Sequence, residues 1–398
     1  ILRLLNDVAN GDYISLARAS FELFTINGIN SNKLSVTRLQ DNEGRSSFRS
    51  RGASQVRLLF RHSKMDGDSH NEMSWEITLN ISSERDDDDE TMFRIDGVDR
   101  HLPHLRRNGN ILTRAEVYRL AETRMLASRM GGEEEPTWLS EYRQQLKVLH
   151  ISANRLRVDP SQRNPRRTRG EFKSDMVEVW AEKIREQIRE AIKKYAERGR
   201  FLERSFPSKI ISMLRSANDV TLGEVMYLTD EIRRSEKRYQ DLGLVAEGRT
   251  VDLDENLNDK SALVVLKAYL EDIKAKFEAI ESTAERLQIF INTINGMLLF
   301  KKLRASPDFG FEVNALSSGE QHLLVLMGEL VFGSSGGETI LLDEPEISFH
   351  PEWQESFPSV LRKIISVNHC SVVMATHSPT LIQDNWDSVV ELAEQVSQ

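Results

Sequence analysis

The sequence predicts an α/β fold that carries a helical insertion, and three observations support this. The apolar run Thr339–Leu342 is followed at once by Asp343 and Glu344, as expected for a buried parallel strand that ends in acidic residues. A second apolar run, "CSVVMA", ends in the polar residues "THSP". Upstream of both, residues 263–294 are apolar at steps of three and four, which indicates a long amphipathic helix.

The periodic segment has the spacing of a heptad repeat. Its members are Leu263, Leu266, Leu270, Ile273, Phe277, Ile280, Ala284, Leu287, Ile291 and Ile294. Because such a stripe needs a partner, we expect the charged helical stretch 172–205, which Pro207 interrupts, to pack against it as an antiparallel coiled-coil arm. The alternative is a core helix in a bundle, because bundle helices share the same pattern.

The chain before this insertion alternates between helical and strand-like runs. They are a helix over Ile1–Val8 that stops near Gly11, strands over Phe21–Ile29, Gln55–Phe60 and Trp75–Ile81, a helix over Arg114–Arg129 and a strand over Leu146–Ser152. We therefore predict three segments: an N-terminal lobe over residues 1–171, a helical arm over 172–300 and a C-terminal lobe over 301–398.

Composition limits the classes of protein that fit. The chain has a net charge of −9, so any binding to nucleic acid must involve a locally basic segment rather than the whole surface. The single cysteine, Cys370, excludes a disulfide framework and predicts a cytoplasmic protein. No stretch approaches the roughly 20 apolar residues of a membrane span.

One segment is locally basic: Asn154–Arg169 holds several arginines against a single acidic residue, Asp159. Arginine suits bidentate phosphate contacts, so this segment is a candidate nucleic-acid contact. The residues concerned are Arg163, Arg166, Arg167 and Arg169. A solvated loop, or pairing with acidic residues elsewhere in the chain, explains the segment equally well.

The acidic pair after the first apolar strand has the form of a Walker B motif. The carboxyl ends of strands are where open α/β sheets bind ligands. Asp343 there can hold Mg²⁺ through water, because Mg²⁺ keeps most of its hydration shell and takes one or two carboxylates. Glu344 can orient and deprotonate an attacking water. Taken alone, the pattern also fits a strand followed by a solvated turn.

Two further elements stand in the order that phosphate chemistry requires. Ser317, Ser318 and Gly319 open a helix, where free N–H groups and the helix dipole favour an anion. His377 follows the second apolar strand and can donate a hydrogen bond to a phosphate. An ordinary serine N-cap and a structural histidine are the alternatives for each element alone. The combined order makes those alternatives improbable.

These residues carry a resemblance to a known group. "LSSGEQ" resembles the ABC signature motif, "TILLDEPEISFHPEWQ" resembles the Walker B and D-loop region, and "ATHSP" resembles the switch-histidine strand of the ABC/SMC-like ATPases, which include RecF and OLD-type heads. The wording "DEPEISFHPEWQ", with "INTINGMLLFKKL" and "LHISANRLRVDP", is similar to a branch from bacterial antiphage systems. The PtuA ATPases of Septu and of certain retrons are the first choice, and the AriA ATPases of PARIS the second.

The resemblance implies an ABC-type ATPase head that uses ATP and Mg²⁺. It makes Asp343 the Mg²⁺ carboxylate, Glu344 the general base and His377 the residue that senses the γ-phosphate. The signature loop of one copy would complete the ATP site of another, which implies a homodimer or a higher homo-oligomer. The residues of that loop are Ser317, Ser318, Gly319 and Gln321.

The group to which the sequence is similar has two further motifs, a P-loop and a Q-loop. The P-loop pattern G-x-x-x-x-G-K-[ST] is not found among the 398 residues. Since "ILRLLNDVANGDY" looks like the helix that follows a P-loop, we expect the P-loop to end just before Ile1. A Q-loop glutamine is expected after Leu146–Ser152, and Gln162 is the candidate.

For the whole protein, the resemblance implies an ATPase subunit of an antiphage complex that holds and regulates a separate HNH-type nuclease. In retron versions a reverse transcriptase and its msDNA would be further partners. The alternative is a RecF-like ATPase of DNA repair or chromosome maintenance. A self-contained OLD-type nuclease is disfavoured, because its TOPRIM domain would follow the head. A nucleotide-binding scaffold that hardly turns over is a fourth possibility.

Overall fold

The chain has a mixed α/β architecture in a computed structural model. The structure describes residues 1–28, 32–40, 53–66, 69–82, 106–107, 110–111, 135–156, 175–215, 220–246, 259–298, 300–312, 316–334 and 336–391. Two compact units divide the chain. The first is formed mainly by Ile1–His150 and Gly337–Asp343, and the second mainly by Thr168–Gly336 and Glu344–Gln398 with Ile151–Val158. No helix of the described residues is long and apolar enough to cross a membrane.

The first unit combines short helices with an antiparallel sheet. Its elements are α1 (Leu2–Asn10), α2 (Tyr13–Arg18), β1 (Leu23–Asn27), β2 (Lys33–Gln40), β3 (Ala53–Asp66), β4 (Ser69–Ser82), β5 (Arg106–Arg107), β6 (Asn110–Ile111), α3 (Thr137–Gln145), β7 (Val148–Ile151) and β10 (Thr339–Asp343). Strands β1 to β4 form one antiparallel sheet in sequence order. Strand β2 was missing from the sequence prediction, whereas β1, β3 and β4 overlap the predicted strands.

The core of this unit lies between the antiparallel sheet and its helices. Tyr13, Phe60 and Trp75 are almost fully buried, and their rings lie 5.4 to 5.5 Å apart between centroids. Helix α1 ends at Gly11, whose φ of 68° is left-handed, so the predicted stop is confirmed. Helix α1 also packs against β10, which lies beside β7 in a parallel sheet.

The second unit is mostly helical. Its elements are α4 (Asp175–Arg215), α5 (Leu222–Asp241), α6 (Lys260–Glu278), α7 (Glu281–Met297), β8 (Arg304–Ser306), β9 (Gly310–Glu312), α8 (Ser318–Phe332), α9 (Pro351–Asn368), β11 (Ser371–Ala375), α10 (Pro379–Ile382) and a 3-10 helix over Trp386–Ser388. Helices α7, α8 and α9 pack on one another, and α4 packs on α8.

Helix α4 continues through Pro207, which we predicted would interrupt it. A proline inside a helix removes one backbone hydrogen bond and is normally unfavourable. Here side chains on both sides of the proline are held by α6. Phe206 makes an edge contact with Tyr269, and Lys209 forms an ion pair of 2.7 Å with Asp272. Tertiary contacts therefore outweigh the local preference.

The predicted heptad helix is two helices, because the chain leaves helical geometry at Ala279 and Ile280 between α6 and α7. Helix α6 packs against both α4 and α5. Lys276 lies 3.5 Å from Glu203 of α4, and Lys274 lies 2.7 Å from Glu231 of α5. This packing is that of a helix in a small bundle, and a coiled-coil arm is not confirmed. The division at residues 171 and 300 stays a prediction.

Candidate active site

Asp343 ends a strand that the fold buries. Ile340, Leu341 and Leu342 have no exposed surface, and the backbone N–H of Thr339 donates to the carbonyl of Lys147 at 2.8 Å, beside β7. Asp343 itself is partly exposed. An apolar strand thus delivers a carboxylate to the end of the sheet, as predicted.

His150 of β7 is a neighbour of Asp343 that sequence reasoning missed. Burial lowers the pKa of His150 from its ordinary value, and the carboxylate of Asp343 opposes that shift. The histidine lies one strand away from the acid, in a segment identified only as a buried strand. Only the pairing of β7 with β10 could have joined the two residues.

Glu344 adopts an unusual backbone conformation, with a φ of 42°. Such a conformation costs a non-glycine residue on the order of 1–3 kcal/mol, so the surroundings must impose it. The N–H of Glu344 donates to the carbonyl of Ala375 at 2.9 Å, and its carbonyl accepts from the N–H of Ile347 at 3.2 Å. Because Ala375 ends β11, the first residue after β10 lies beside the end of β11.

This backbone arrangement brings the two predicted catalytic side chains together. The Nε2 atom of His377 lies 3.7 Å from Oε1 of Glu344, and the His377 side chain is 90% exposed. The N–H of His377 donates to Oε1 of Glu346 at 2.8 Å, and the hydroxyl of Ser378 donates to Oε1 of Gln354 at 2.7 Å. These bonds fix the backbone of the histidine loop and leave the imidazole open to a ligand.

Arg155 is held against the same glutamate. Its Nη2 donates to the carbonyl oxygen of Glu344 at 3.0 Å, and the residue is 3% exposed. Arg155 belongs to the basic segment Asn154–Arg169, and its burial shows that this arginine is not part of a solvated surface.

The Ser-Gly loop opens α8 with a complete capping box. The hydroxyl of Ser317 accepts from the N–H of Glu320 at 3.4 Å, and the Glu320 carboxylate accepts from the N–H of Ser317 at 2.7 Å. Lys301 also donates to Glu320, at 2.6 Å. Burial raises the pKa of Glu320, but the hydrogen bonds from Lys301 and Ser317 outweigh it and lower the pKa overall. The loop is thus held from both sides.

Other contacts shape this loop. Nε2 of Gln321 donates to the carbonyl of Leu316 at 3.2 Å, so Gln321 braces the loop. A Cβ on Gly319 would lie 3.2 Å from the carbonyl oxygen of Ser348, a tight contact that would require a shift of a few tenths of an ångström. Ser317 and Ser318 are exposed. In the described part of the chain, no hydrogen bond or ion pair joins Ser317, Ser318 or Gly319 to Glu344 or His377.

Several predicted residues lie outside the described ranges. They are the nucleic-acid candidates Arg163, Arg166, Arg167 and Arg169 and the Q-loop candidate Gln162. Their predicted roles therefore stay predictions. Among the described residues, no group of three or more His, Cys, Asp or Glu side chains is placed to hold a metal ion. A single carboxylate such as Asp343 still suits Mg²⁺, which takes its remaining ligands from water and phosphate.

Residues 226–383 match a family model described as "AAA domain, putative AbiEii toxin, Type IV TA system". The matched region includes the Ser-Gly loop, the acidic pair and His377. The match covers less than half of the chain. It indicates a P-loop ATPase of the ABC/SMC-like kind, and domains of this type generally bind ATP and Mg²⁺. None of the curated proteins compared with the chain matches it.

Proposed function

We propose that this chain is the ATPase subunit of a bacterial antiphage complex, in which it binds ATP between two copies and restrains a separate effector nuclease. One observation supports the ATPase part above the others: Glu344 and His377 approach to 3.7 Å next to Asp343, at the end of a buried strand. The match to a domain whose description names a toxin–antitoxin system supports the defence part.

The proposed chemistry assigns one step to each residue. Glu344 accepts a proton from the attacking water, and positioned general bases of this kind contribute about 10²–10⁴-fold to rate. The exposed imidazole of His377 donates a hydrogen bond to the γ-phosphate, where negative charge develops. Asp343 would hold Mg²⁺, which when bound neutralises phosphate charge.

The site requires a second copy in this proposal. The exposed loop Ser317–Gly319 presents hydroxyls and helix N–H groups, which suit a phosphate bound by the partner. Gln321 holds the loop in shape through its bond to Leu316. The proposed assembly is therefore a homodimer or a higher homo-oligomer with shared ATP sites. The proposal requires a P-loop as well.

The partner assignments rest on the sequence resemblance. The proposed effector is an HNH-type nuclease, and a retron version of the complex would add a reverse transcriptase and its msDNA. Among the described residues we identify no cluster of side chains that could hold the metal ion of a nuclease site. A RecF-like ATPase of DNA repair would use the same ATP chemistry. Co-purification with a nuclease and direct binding to DNA ends therefore distinguish the antiphage ATPase from the repair ATPase.

The ATPase assignment is tested by Glu344→Gln. The amide keeps the size and hydrogen-bonding capacity of the side chain but cannot accept the proton. We expect the turnover number to fall by at least about 10²-fold while the affinity for ATP stays within a few-fold of wild type. Steady-state phosphate release and equilibrium binding of a fluorescent ATP analogue measure the two quantities.

Glu355→Gln is the matched control, because Glu355 is an exposed carboxylate on α9 outside the site. This variant should hydrolyse ATP at the wild-type rate. If Glu344→Gln retains wild-type turnover, Glu344 is not the base and the proposed chemistry is wrong. If both variants lose turnover equally, the effect is not specific to the site.

A further inference from the structure

Arg155 joins the end of β7 to the backbone of Glu344, which lies far away in the sequence. Its Nη2 donates to the Glu344 carbonyl at 3.0 Å, and only 3% of the residue is exposed. Burying a guanidinium is costly unless its charge and its donors are used. The residue therefore has a defined role inside the protein, distinct from that of a surface arginine.

The electrostatic surroundings of Arg155 lie on α8. The Oε2 atom of Glu329 is buried and has no hydrogen-bond partner among the described residues. Burial raises the pKa of Glu329 to about 7, and the positive charges of Arg155 and Lys183 oppose that shift. Burial also lowers the pKa of His322, and Arg155 adds to that effect. Arg155 thus interacts with the helix that begins at the Ser-Gly loop.

We propose that Arg155 is a positioning residue that holds the peptide of Glu344 in its left-handed conformation. This inference rests on the proposed role of Glu344 as the base. Arg155 touches neither the nucleotide nor the attacking water in this proposal, and it acts only through the glutamate.

The backbone geometry explains why such a residue is needed. Glu344 has a φ of 42°, a conformation that a non-glycine residue leaves readily unless its neighbours hold it. Ala375 holds the N–H, while Ile347 and Arg155 share the carbonyl. Ile347 is only three residues away and belongs to the same turn, so it can move together with Glu344. Arg155 and Ala375 are the anchors from outside that turn.

Loss of this anchor should affect catalysis rather than nucleotide binding. A displacement of the base by about 1 Å can cost on the order of 10²-fold in rate. We expect Arg155→Met to lower the turnover number by about 10- to 100-fold, while the KM for ATP changes less than about threefold. Arg155→Lys keeps a positive charge and a donor, so it should recover part of the lost rate.

Arg362→Met is the matched control, because Arg362 is an exposed arginine on α9. It should leave both kinetic constants unchanged. Circular dichroism and thermal unfolding establish that each variant is folded. Since Arg155→Met removes one of the two positive charges that act on the Glu329 carboxylate, the double variant Arg155→Met/Glu329→Gln is measured beside it. The double variant removes both charges. If Arg155→Met does not fold, the double variant takes its place and should show the same 10- to 100-fold loss of turnover.

A double-mutant cycle with Glu344→Gln separates positioning from other roles. If Arg155 acts only through Glu344, adding Arg155→Met to Glu344→Gln should lower the turnover number by less than about twofold. Wild-type turnover in the folded Arg155 variants, or multiplicative losses in the cycle, would overturn the inference. If instead Glu344→Gln alone remains fully active, the proposed function fails, whatever the Arg155 variants do.

Discussion

At the scale of single residues, the site depends on backbone geometry as much as on side-chain chemistry. Glu344 follows a buried strand, but its φ of 42° and its bond to Ala375 determine where the carboxylate points. His377 is placed by its own N–H bond to Glu346. The side chains of Glu344 and His377 are 33 positions apart in the chain and meet because the N–H of Glu344 donates to the carbonyl of Ala375, two residues before His377.

The exposed Ser-Gly loop leads to a prediction at the same scale. Ser318→Arg places a bulky cation at a loop that we expect to contact the partner's nucleotide. Hydrolysis should be abolished, whereas ATP affinity of the isolated subunit should stay within a few-fold of wild type. Filter binding and phosphate release measure the two quantities. Ser359→Arg, on the exposed side of α9, is the control and should remain active.

Mixing variants tests whether the site is shared. Ser318→Arg and Glu344→Gln subunits are each inactive, but a mixed dimer contains one intact pair of loop and base. With free exchange of subunits at equal amounts, we expect about a quarter of the wild-type activity, because half of the dimers are mixed and each has one of two sites. No recovery, under conditions where labelled subunits demonstrably exchange, would rule out a site completed in trans.

At the scale of secondary-structure elements, one apolar stripe serves two helices. Ile280 belongs to the heptad pattern, yet it lies between α6 and α7 and is fully buried. Ile273 of the same stripe is only half-buried. Contacts with α4 and α5 use the first half of the pattern, and contacts with α8 and α9 use the second. Sequence spacing therefore located the buried face but not the break.

This difference predicts unequal effects of two similar substitutions. Ile280→Asp buries an unpaired carboxylate and should lower the free energy of unfolding by at least about 4 kcal/mol. Ile273→Asp should cost less, because its side chain keeps access to water. Val265→Asp, at an exposed position of α6, should cost about 1 kcal/mol or less. Urea unfolding followed by circular dichroism ranks the three. Equal losses for Ile280 and Val265 would contradict the packing described here.

At the scale of the whole molecule, charge and chemistry point to divided labour. The net charge of −9 does not favour general binding to nucleic acid, and the residues brought together suit the phosphate chemistry that we propose. Our proposal therefore assigns the damaging activity of an antiphage complex to another polypeptide. The ATPase would control that activity rather than perform it.

The corresponding prediction concerns the purified full-length protein. It should cut neither DNA nor RNA in the presence of Mg²⁺ and ATP. Expressed with the genes beside its own, it should co-purify with a nuclease whose activity is restrained in the complex. If the protein alone cleaves nucleic acid, and the cleavage persists after further purification has removed contaminating nucleases, this division of labour is wrong.

The repair-type alternative predicts a different result in the same preparation. A RecF-like ATPase should bind DNA ends directly, without a partner. Its affinity should fall by about 10³-fold or more between 50 and 200 mM salt if six or more phosphates are neutralised. Fluorescence anisotropy with labelled duplexes measures this. Salt-sensitive binding to DNA ends without a co-purifying nuclease would favour the alternative over our proposal.

The sequence by itself was enough to predict the strands that end at the candidate site and the class of ATPase. Apolar runs identified β7, β10 and β11 as strands, and β10 is largely buried as a continuous apolar strand should be. Strand β11, also expected to be buried, is instead partly exposed, and Val373 on it keeps 48% of its surface. The order of the Ser-Gly loop, the acidic pair and His377 predicted an ATPase, and the family match supports that prediction. Gly11 marked the end of α1, because the stop depends on a local left-handed conformation.

Only the tertiary structure decided how these pieces are held. The passage of α4 through Pro207, the break before Ile280 and the burial of Arg155 all depend on contacts between residues far apart in the chain. The helix propensities of single residues differ by about 1 kcal/mol, and a proline costs about 3 kcal/mol in a helix interior. The packing of several side chains stabilises the structure by more than these amounts. The link from Arg155 to Glu344 is therefore a property of the fold, because no spacing in the sequence encodes a contact between positions 155 and 344.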